Sequence, residues 1–222
     1  MSDLSEQFIE RIKTATAPLC LRGSGSKDFY GNAVHCGNVP QGEVPDTLDT
    51  RGHRGILAYE PTELVITVRC GTPLAEVEAA LTEKNQYLPF EPPRFSAAST
   101  VGGMVAAGLS GPRRVSAGSV RDYVLGVKLL DGQARELNFG GQVMKNVAGY
   151  DVSRLIAGSL GTLGLILEVS LKVLPRPAAE STLRLEMSQA EALRKLNEWG
   201  GQPLPIVASA WADNVLTLKL AC

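Results

Sequence analysis

Residues 99–111 read Ser-Thr-Val-Gly-Gly-Met-Val-Ala-Ala-Gly-Leu-Ser-Gly, and a second small-residue run follows at 118–123 as Gly-Ser-Val-Arg-Asp-Tyr. The pattern predicts a short helix over Val101–Ala107, opened by a glycine pair. The start of a helix carries free N–H groups and the positive end of its dipole, which favour an anion. Alanine and glycine along its length also let a large planar ligand approach the backbone. The same small residues serve equally well for close helix–sheet packing, and this segment alone does not separate the two readings.

Two further glycine-rich segments bear on the choice. The first is Leu21-Arg22-Gly23-Ser24-Gly25-Ser26-Lys27. Its glycines let consecutive backbone N–H groups converge on phosphate oxygens, its serines add donors, and Arg22 and Lys27 add charge. It has neither the Walker spacing nor the dinucleotide fingerprint of a Rossmann unit, and a Gly/Ser loop by itself is usually a turn. The second is Lys145-Asn146-Val147-Ala148-Gly149-Tyr150-Asp151, followed by Gly158-Ser159-Leu160-Gly161-Thr162-Leu163-Gly164-Leu165-Ile166. The strand after Gly164 can offer its main-chain edge to a heterocycle; an αL cap and a tight turn are the alternative. A loop, a helix and a strand, all glycine-rich and separated by strand–helix units, fit a nucleotide better than any single turn does.

Around these segments the periodicities predict an α+β chain. Leu4, Phe8, Ile9 and Ile12 recur at helical spacing, with Ser2 or Asp3 as N-cap. Pro18–Leu21 reads as a short buried strand and Leu64–Val68 as a β-branched one. Thr72 is placed to cap a helix with Pro73 at its first position and Leu74, Val77 and Leu81 on its buried stripe. Tyr123–Leu130 and Ala134–Leu137 form a hairpin around Asp131-Gly132, and Leu165–Val173 a sheet strand. Residues 175–179, Pro-Arg-Pro-Ala-Ala, mark a boundary between a domain over 1–175 and a piece over 180–222. In that piece Leu183–Met187 is a strand, Ser188 opens a capping box, and Ile206–Trp211 and Val215–Leu220 are strands. A β-α-β-β piece ending on a strand is expected to be completed by a longer polypeptide or another chain, with Val215–Leu220 an exposed association hazard.

Composition removes several function classes. A net charge of -1 and a pI near 6.2 provide no field for nucleic acid or acidic membranes. Aromatic residues at 5% are too few for a base-stacking platform. Cys20, Cys36, Cys70 and Cys222 include no CxxC pair and only His35 and His53 accompany them, so no metal site is expected and the thiols read as reduced and cytosolic. The polar, acidic Met1–Glu6 is not a signal peptide, and no apolar run reaches the roughly 20 residues needed to span a bilayer. A cytoplasmic protein is expected, touching a membrane only through partners.

The loop at 22–27, the 100–123 segment and the KNVAGYDVSRLIAGSLGTLG segment resemble, taken together, the FAD-binding domain of the vanillyl-alcohol-oxidase (PCMH) type. Within that superfamily, KNVAGYD with GSLGTLGLILEVSLKVLP looks most like the FAD-binding subunits of bacterial glycolate oxidases, over nearly the whole chain. The resemblance implies two α+β subdomains with FAD between them, followed by an α+β cap that begins at about residue 180. It implies that Arg22, Gly23, Ser24, Gly25, Ser26 and Lys27, with Thr100, Gly102 and Gly103, hold the pyrophosphate. Ser110, Gly111, Gly118, Ser119 and Asp122 would line the ADP side or shape its loops, and Ile166 would meet the adenine or ribose through its backbone. Asn146, Gly149, Tyr150 and Asp151 match a motif near the cofactor. Some members attach flavin through a histidine in the first loop; Arg22–Gly31 has none, so FAD is expected to be non-covalent.

Oxidising a 2-hydroxy acid calls for a base and a cationic clamp for the carboxylate. Related catalytic subunits carry a histidine-rich cluster in the cap, and this sequence shows none. Arg94 and Arg113-Arg114 are its candidate clamps, although arginines so placed usually face solvent or phosphate. The family implies oxidation of a small 2-hydroxy acid, glycolate, and the expectation for this chain is a subunit relaying electrons or supporting assembly beside a catalytic flavoprotein and an iron–sulfur subunit. An autonomous flavoenzyme and a scaffold that has lost FAD are the alternatives.

Overall fold

The computed structural model describes residues 3–31, 46–141 and 151–222. Its organising element is a five-stranded antiparallel sheet, in which β3 (Ile56–Glu60), β4 (Val65–Arg69), β8 (Leu165–Lys172), β6 (Val124–Leu130) and β7 (Glu136–Gly140) lie side by side in that order. Two local hairpins, β3–β4 and β6–β7, are joined by β8, which follows both in sequence yet lies between β4 and β6. On one face Ile66, Val68, Val127, Val169 and Leu171 pack under α2 (Leu74–Glu83) and α3 (Val101–Ala107). On the other, Leu130, Leu165 and Leu167 pack against Phe8 of α1 (Ser5–Thr14) and against Leu48, with β1 (Cys20–Arg22) and β2 (Thr47–Asp49) forming a small parallel pair alongside.

One irregularity allows β8 to serve both cores. Lys128 pairs with Glu168 and Leu129 with Ile166, so Leu167 has no partner on β6. This bulge turns Ile166 to the same core as Val169 and leaves Leu167 in the α1 core. The Leu167 carbonyl instead accepts the Cys70 N–H at 2.9 Å. Simple alternation over 165–173 does not contain that step.

Several local readings change in the structure. Helix α1 has no side-chain cap; the Asp3 carboxylate accepts the Ser5 N–H at 3.0 Å from outside the cap position, which Leu4 occupies. Pro73, not Thr72, is the N-cap of α2, because the Thr72 hydroxyl is spent on the Gly55 amide at 2.9 Å. The strand read at Pro18–Leu21 starts only at Cys20 and is half-exposed. The prolines after residue 173 do not end pairing at once, since β9 (Leu174–Pro175) pairs with β5 (Gln86–Tyr87). Of the four cysteines, Cys70 and Cys222 are free but Cys20 is disulfide-bonded, which overturns the expectation of reduced thiols. Which cysteines meet is a long-range matter that spacing alone does not reveal. No helix among the described residues is long and apolar enough to cross a membrane.

Residues 180–222 form a second sheet with its own small core. β10 (Glu180–Glu186), β12 (Val215–Ala221) and β11 (Ile206–Ala212) are antiparallel in that order, and α7 (Gln189–Gly200) covers Leu216 and Leu218. The Ser188 hydroxyl caps α7 by accepting the Glu191 N–H. The expected hazard at Val215–Leu220 is corrected: β12 is the central strand, paired on both sides over its length, because β10 folds back onto it. A charge network centred on the buried Arg113 joins this sheet to the rest of the chain. Arg113 meets Glu180 at 3.0 Å and Glu91 at 3.7 Å, and Lys219 meets the same two carboxylates at 3.2 and 3.0 Å.

His53 is fully buried between α1 and the sheet, with its Nδ1 accepting the Leu4 N–H at 3.0 Å. That bond requires a neutral ring, and burial pushes the His53 pKa below its ordinary value despite the nearby Asp3. Well above pH 6.5, the ordinary value of the unfolded ring, both folded and unfolded rings are neutral and stability does not respond to this group. Below it the unfolded ring takes up a proton that the folded ring resists, so stability falls until the folded ring protonates too. Urea midpoints between pH 7.5 and 5.5 should therefore drop in the wild type, and His53→Gln should flatten that part of the slope.

Candidate functional site

The loop that follows β1 has the geometry of an anion cradle. The amides of Gly23, Ser24, Gly25, Ser26 and Lys27 donate to no acceptor among the described residues, although the loop is half-buried. Five successive unspent donors are uncommon in a folded chain and converge naturally on a polyanion. Gly25 sits at φ +71°, backed by the guanidinium of Arg22, which is in turn ion-paired with Asp28. Gly23 touches the start of α3, where a Cβ would lie 2.6 Å from Thr100 Oγ1. Ser26 and Ser99 share a hydroxyl–hydroxyl hydrogen bond of 3.1 Å. Lys27 lies 5.9 Å over the exposed Phe95 ring, and burial lowers its ammonium pKa.

The start of α3 differs from what its glycine pair suggests. The Val101 amide donates to the Thr72 carbonyl at 2.9 Å, Gly102 to the Cys70 carbonyl at 2.7 Å, and Gly103 to Thr100 Oγ1 at 3.3 Å. The helix end is thus satisfied within the protein. Gly102 is glycine because α3 lies directly on Cys70, whose Cβ would stand 2.6 Å from a new one. The loop, rather than the helix end, supplies the free donors.

Loop and helix meet across a narrow chamber of about 70 Å³, with Arg22, Gly23, Gly102, Gly103, Gly161 and Ile166 among its walls. Ile166 reaches it because β8 runs on past the end of β4 at Arg69, so its edge there is not covered by that strand. Past Leu160 a second chamber of about 360 Å³ opens along Ala107, Gly108, Arg114, Ser119 and Gly158. The two chambers lie along α3 with Leu160 as their shared wall, and glycine and alanine of that segment line both; together they are the groove. Free amides, serine hydroxyls and two cations at one end, with small residues along the rest, fit the diphosphate and the flat rings of a dinucleotide.

Of the remaining expected residues, Ser119 lines the second chamber, while Ser110, Gly111, Gly118 and Asp122 line neither chamber and act on the local backbone. The Ser110 hydroxyl accepts the Val120 N–H at 3.0 Å, and Ser119 and Asp122 close a capping box on α5 (Val120–Tyr123), which follows the single turn of α4 (Arg114–Ala117). Burial raises the Asp122 pKa, but hydrogen bonds from the Ser119 amide and hydroxyl outweigh it and hold the carboxyl below its usual range. Gly111 packs on the Glu91 backbone, and Gly118 takes φ +96° beside Asp122. Asn146, Gly149 and Tyr150 lie outside the described residues; Asp151 caps α6 (Val152–Ile156) through the Arg154 amide. Thr50 and Cys70 also wall the first chamber, and no local signal marks either one. Burial pushes the Cys70 thiol up to about 12, so it is an inert wall rather than a nucleophile. Of the candidate clamps, Arg113 is buried in its ion pairs and Arg94 meets Glu78 at 2.9 Å, while Arg114 lines the groove.

Residues 5–140 match the family model described as an FAD binding domain. The glycolate oxidase subunit GlcE of Escherichia coli is 51% identical over 221 residues, covering 98% of this chain and 61% of that protein. The glycolate oxidase subunit GlcD of Bacillus subtilis is 32% identical over 179 residues, covering 79% of this chain and 36% of that one. The chain therefore spans less than two thirds of the length of either relative. Among solved structures, an alkyldihydroxyacetonephosphate synthase superposes with a TM-score of 0.74 over 97% of this chain and 44% of its own, at 19% identity, which speaks for the fold alone.

Proposed function

This chain belongs to the FAD binding domain family, and on that premise we propose that it holds FAD non-covalently as part of a glycolate oxidase subunit. The observation that carries the reading is the set of five unspent amides at 23–27, in a loop whose Arg22 and Gly23 wall a glycine-rich groove. The 51% identity to the Escherichia coli subunit supplies the substrate class, a small 2-hydroxy acid oxidised to its 2-oxo acid.

Bound FAD supplies the two-electron chemistry that side chains lack. The chain's own part is to bind and orient. The amides of 23–27, with the hydroxyls of Ser24 and Ser26 and the charges of Arg22 and Lys27, hold the diphosphate. Thr100, Gly102 and Gly103 let the loop and α3 close on it, and the Ile166 backbone meets the nucleoside. Ser110, Gly111, Gly118, Ser119 and Asp122 fix the far wall. No histidine is available in the loop for covalent attachment. Residues 1–175 are the FAD-binding domain in this reading, and residues 180–222 begin its cap.

Turnover of glycolate needs a base beside the groove. His53, the histidine among the described residues, is buried and engaged with Leu4, away from the groove walls. This favours a relay or assembly role beside a catalytic flavoprotein and an iron–sulfur subunit, through which any membrane contact would run. The test is the absorption spectrum of the desalted protein, with the cofactor identified after denaturation. Flavin bands released as FAD, with little glycolate turnover by the chain alone, are expected. A colourless protein that takes up no added FAD would refute the cofactor reading, and efficient turnover would refute the relay.

A further inference from the structure

We propose that the large cleft beside α2, apart from the cofactor groove, binds a small carboxylic acid as its anion, held on Arg176. The cleft measures about 810 Å³ and opens between α2, Tyr87 and the segment leading into the C-terminal sheet. Four cations line it, Arg94, Arg113, Arg176 and Lys219, against three carboxylates, Glu78, Glu91 and Glu180. Arg113 and Lys219 share Glu91 and Glu180, and Arg94 pairs with Glu78, so six of these charges balance one another.

Arg176 is the remainder. Its Nε donates to the Gln86 carbonyl at 3.3 Å and its Nη2 to Thr82 Oγ1 at 3.0 Å, both neutral acceptors, and it has no ion pair among the described residues. Two fixed bonds pre-set the guanidinium plane, while Nη1 and one Nη2 hydrogen are left without an acceptor in the described residues. Burial raises the pKa of Glu78, and the nearby charges of Arg94 and Arg176 pull it back down. A single surplus charge suits a monovalent carboxylate better than a dianionic phosphate, and a planar fork suits a planar two-oxygen acceptor. Ala75, Ala79 and Pro177 give a short carbon body a low apolar wall.

The cleft and the groove share no lining residue. Arg113 lines one and its neighbour Arg114 the other. The site therefore does not depend on the cofactor reading.

The test is a nitrogen-15 NMR titration of the full chain with sodium acetate, matched in ionic strength against sodium chloride. Saturable shifts at the Thr82, Gln86 and Arg176 amides are expected with acetate but not chloride. Arg176→Gln should weaken them by about tenfold, the effect of losing one charge-assisted pair. Its spectrum away from the cleft and its FAD content should stay unchanged. Equal shifts with chloride, or undiminished acetate binding by Arg176→Gln, would overturn the proposal, whatever the protein's FAD content.

Discussion

Gly23→Ala is expected to lose most of its FAD, with affinity lowered by roughly 10- to 100-fold, corresponding to an overpacking cost of about 1–3 kcal/mol. The added Cβ would stand 2.6 Å from Thr100 Oγ1, a distance no carbon–oxygen contact tolerates. Thr100 cannot turn away without cost, because the same oxygen accepts the Gly103 N–H and caps α3. The loop must move instead, and with it the row of amides at 23–27. The backbone at Gly23 is not in the left-handed region, so the collision is the whole effect. Removing the other half should therefore repair it: Gly23→Ala with Thr100→Ala should bind FAD better than Gly23→Ala alone. Fluorescence titration of the apoprotein with FAD measures both. If the double variant binds no better than the single one, the contact with Thr100 is not what holds the loop in place.

Gly102→Val should act on stability before it acts on FAD. Its Cβ would meet the Cys70 Cβ at 2.6 Å and the Cys70 carbonyl at 3.1 Å, in a wholly buried contact between α3 and the end of β4. Neither backbone has room to give, since the Gly102 N–H donates to that same carbonyl at 2.7 Å. A loss of about 2–3 kcal/mol is expected, which for a chain of this size lowers Tm by roughly 4–12 °C. Gly103→Ala is the companion, because its new Cβ would meet only the Thr100 hydroxyl, at 3.1 Å. It should leave Tm within about 2 °C of the wild type, a small effect for a contact made only with a side-chain tip. Thermal unfolding of the two apoproteins distinguishes helix packing at Gly102 from a role confined to the ligand. Equal, small shifts in both would favour the latter.

What the sequence alone determines here are the features carried by interactions between near neighbours. The α3 bounds, Val101–Ala107, follow from the small-residue run and its glycine stop, and the Ser188 cap of α7 from an oxygen three residues before a free amide. The hairpin of β6 and β7 and the loop at 22–27 are likewise legible, because glycine and turn residues act through their own φ and ψ. Tertiary structure decides which donors remain free. The glycine pair of α3 reads as an anion site only until Cys70 and Thr72, some 30 residues earlier in the chain, bring their carbonyls to it. The bulge that swings Ile166 toward the groove arises from pairing with β6, about 40 residues away, and Thr50 and Cys70 join the wall through the same long-range packing. The position of β12 between β10 and β11 depends on which strands pair, not on the strands' own residues. A backbone N–H is spent on whichever acceptor reaches it first in space, and sequence order does not show which one that will be.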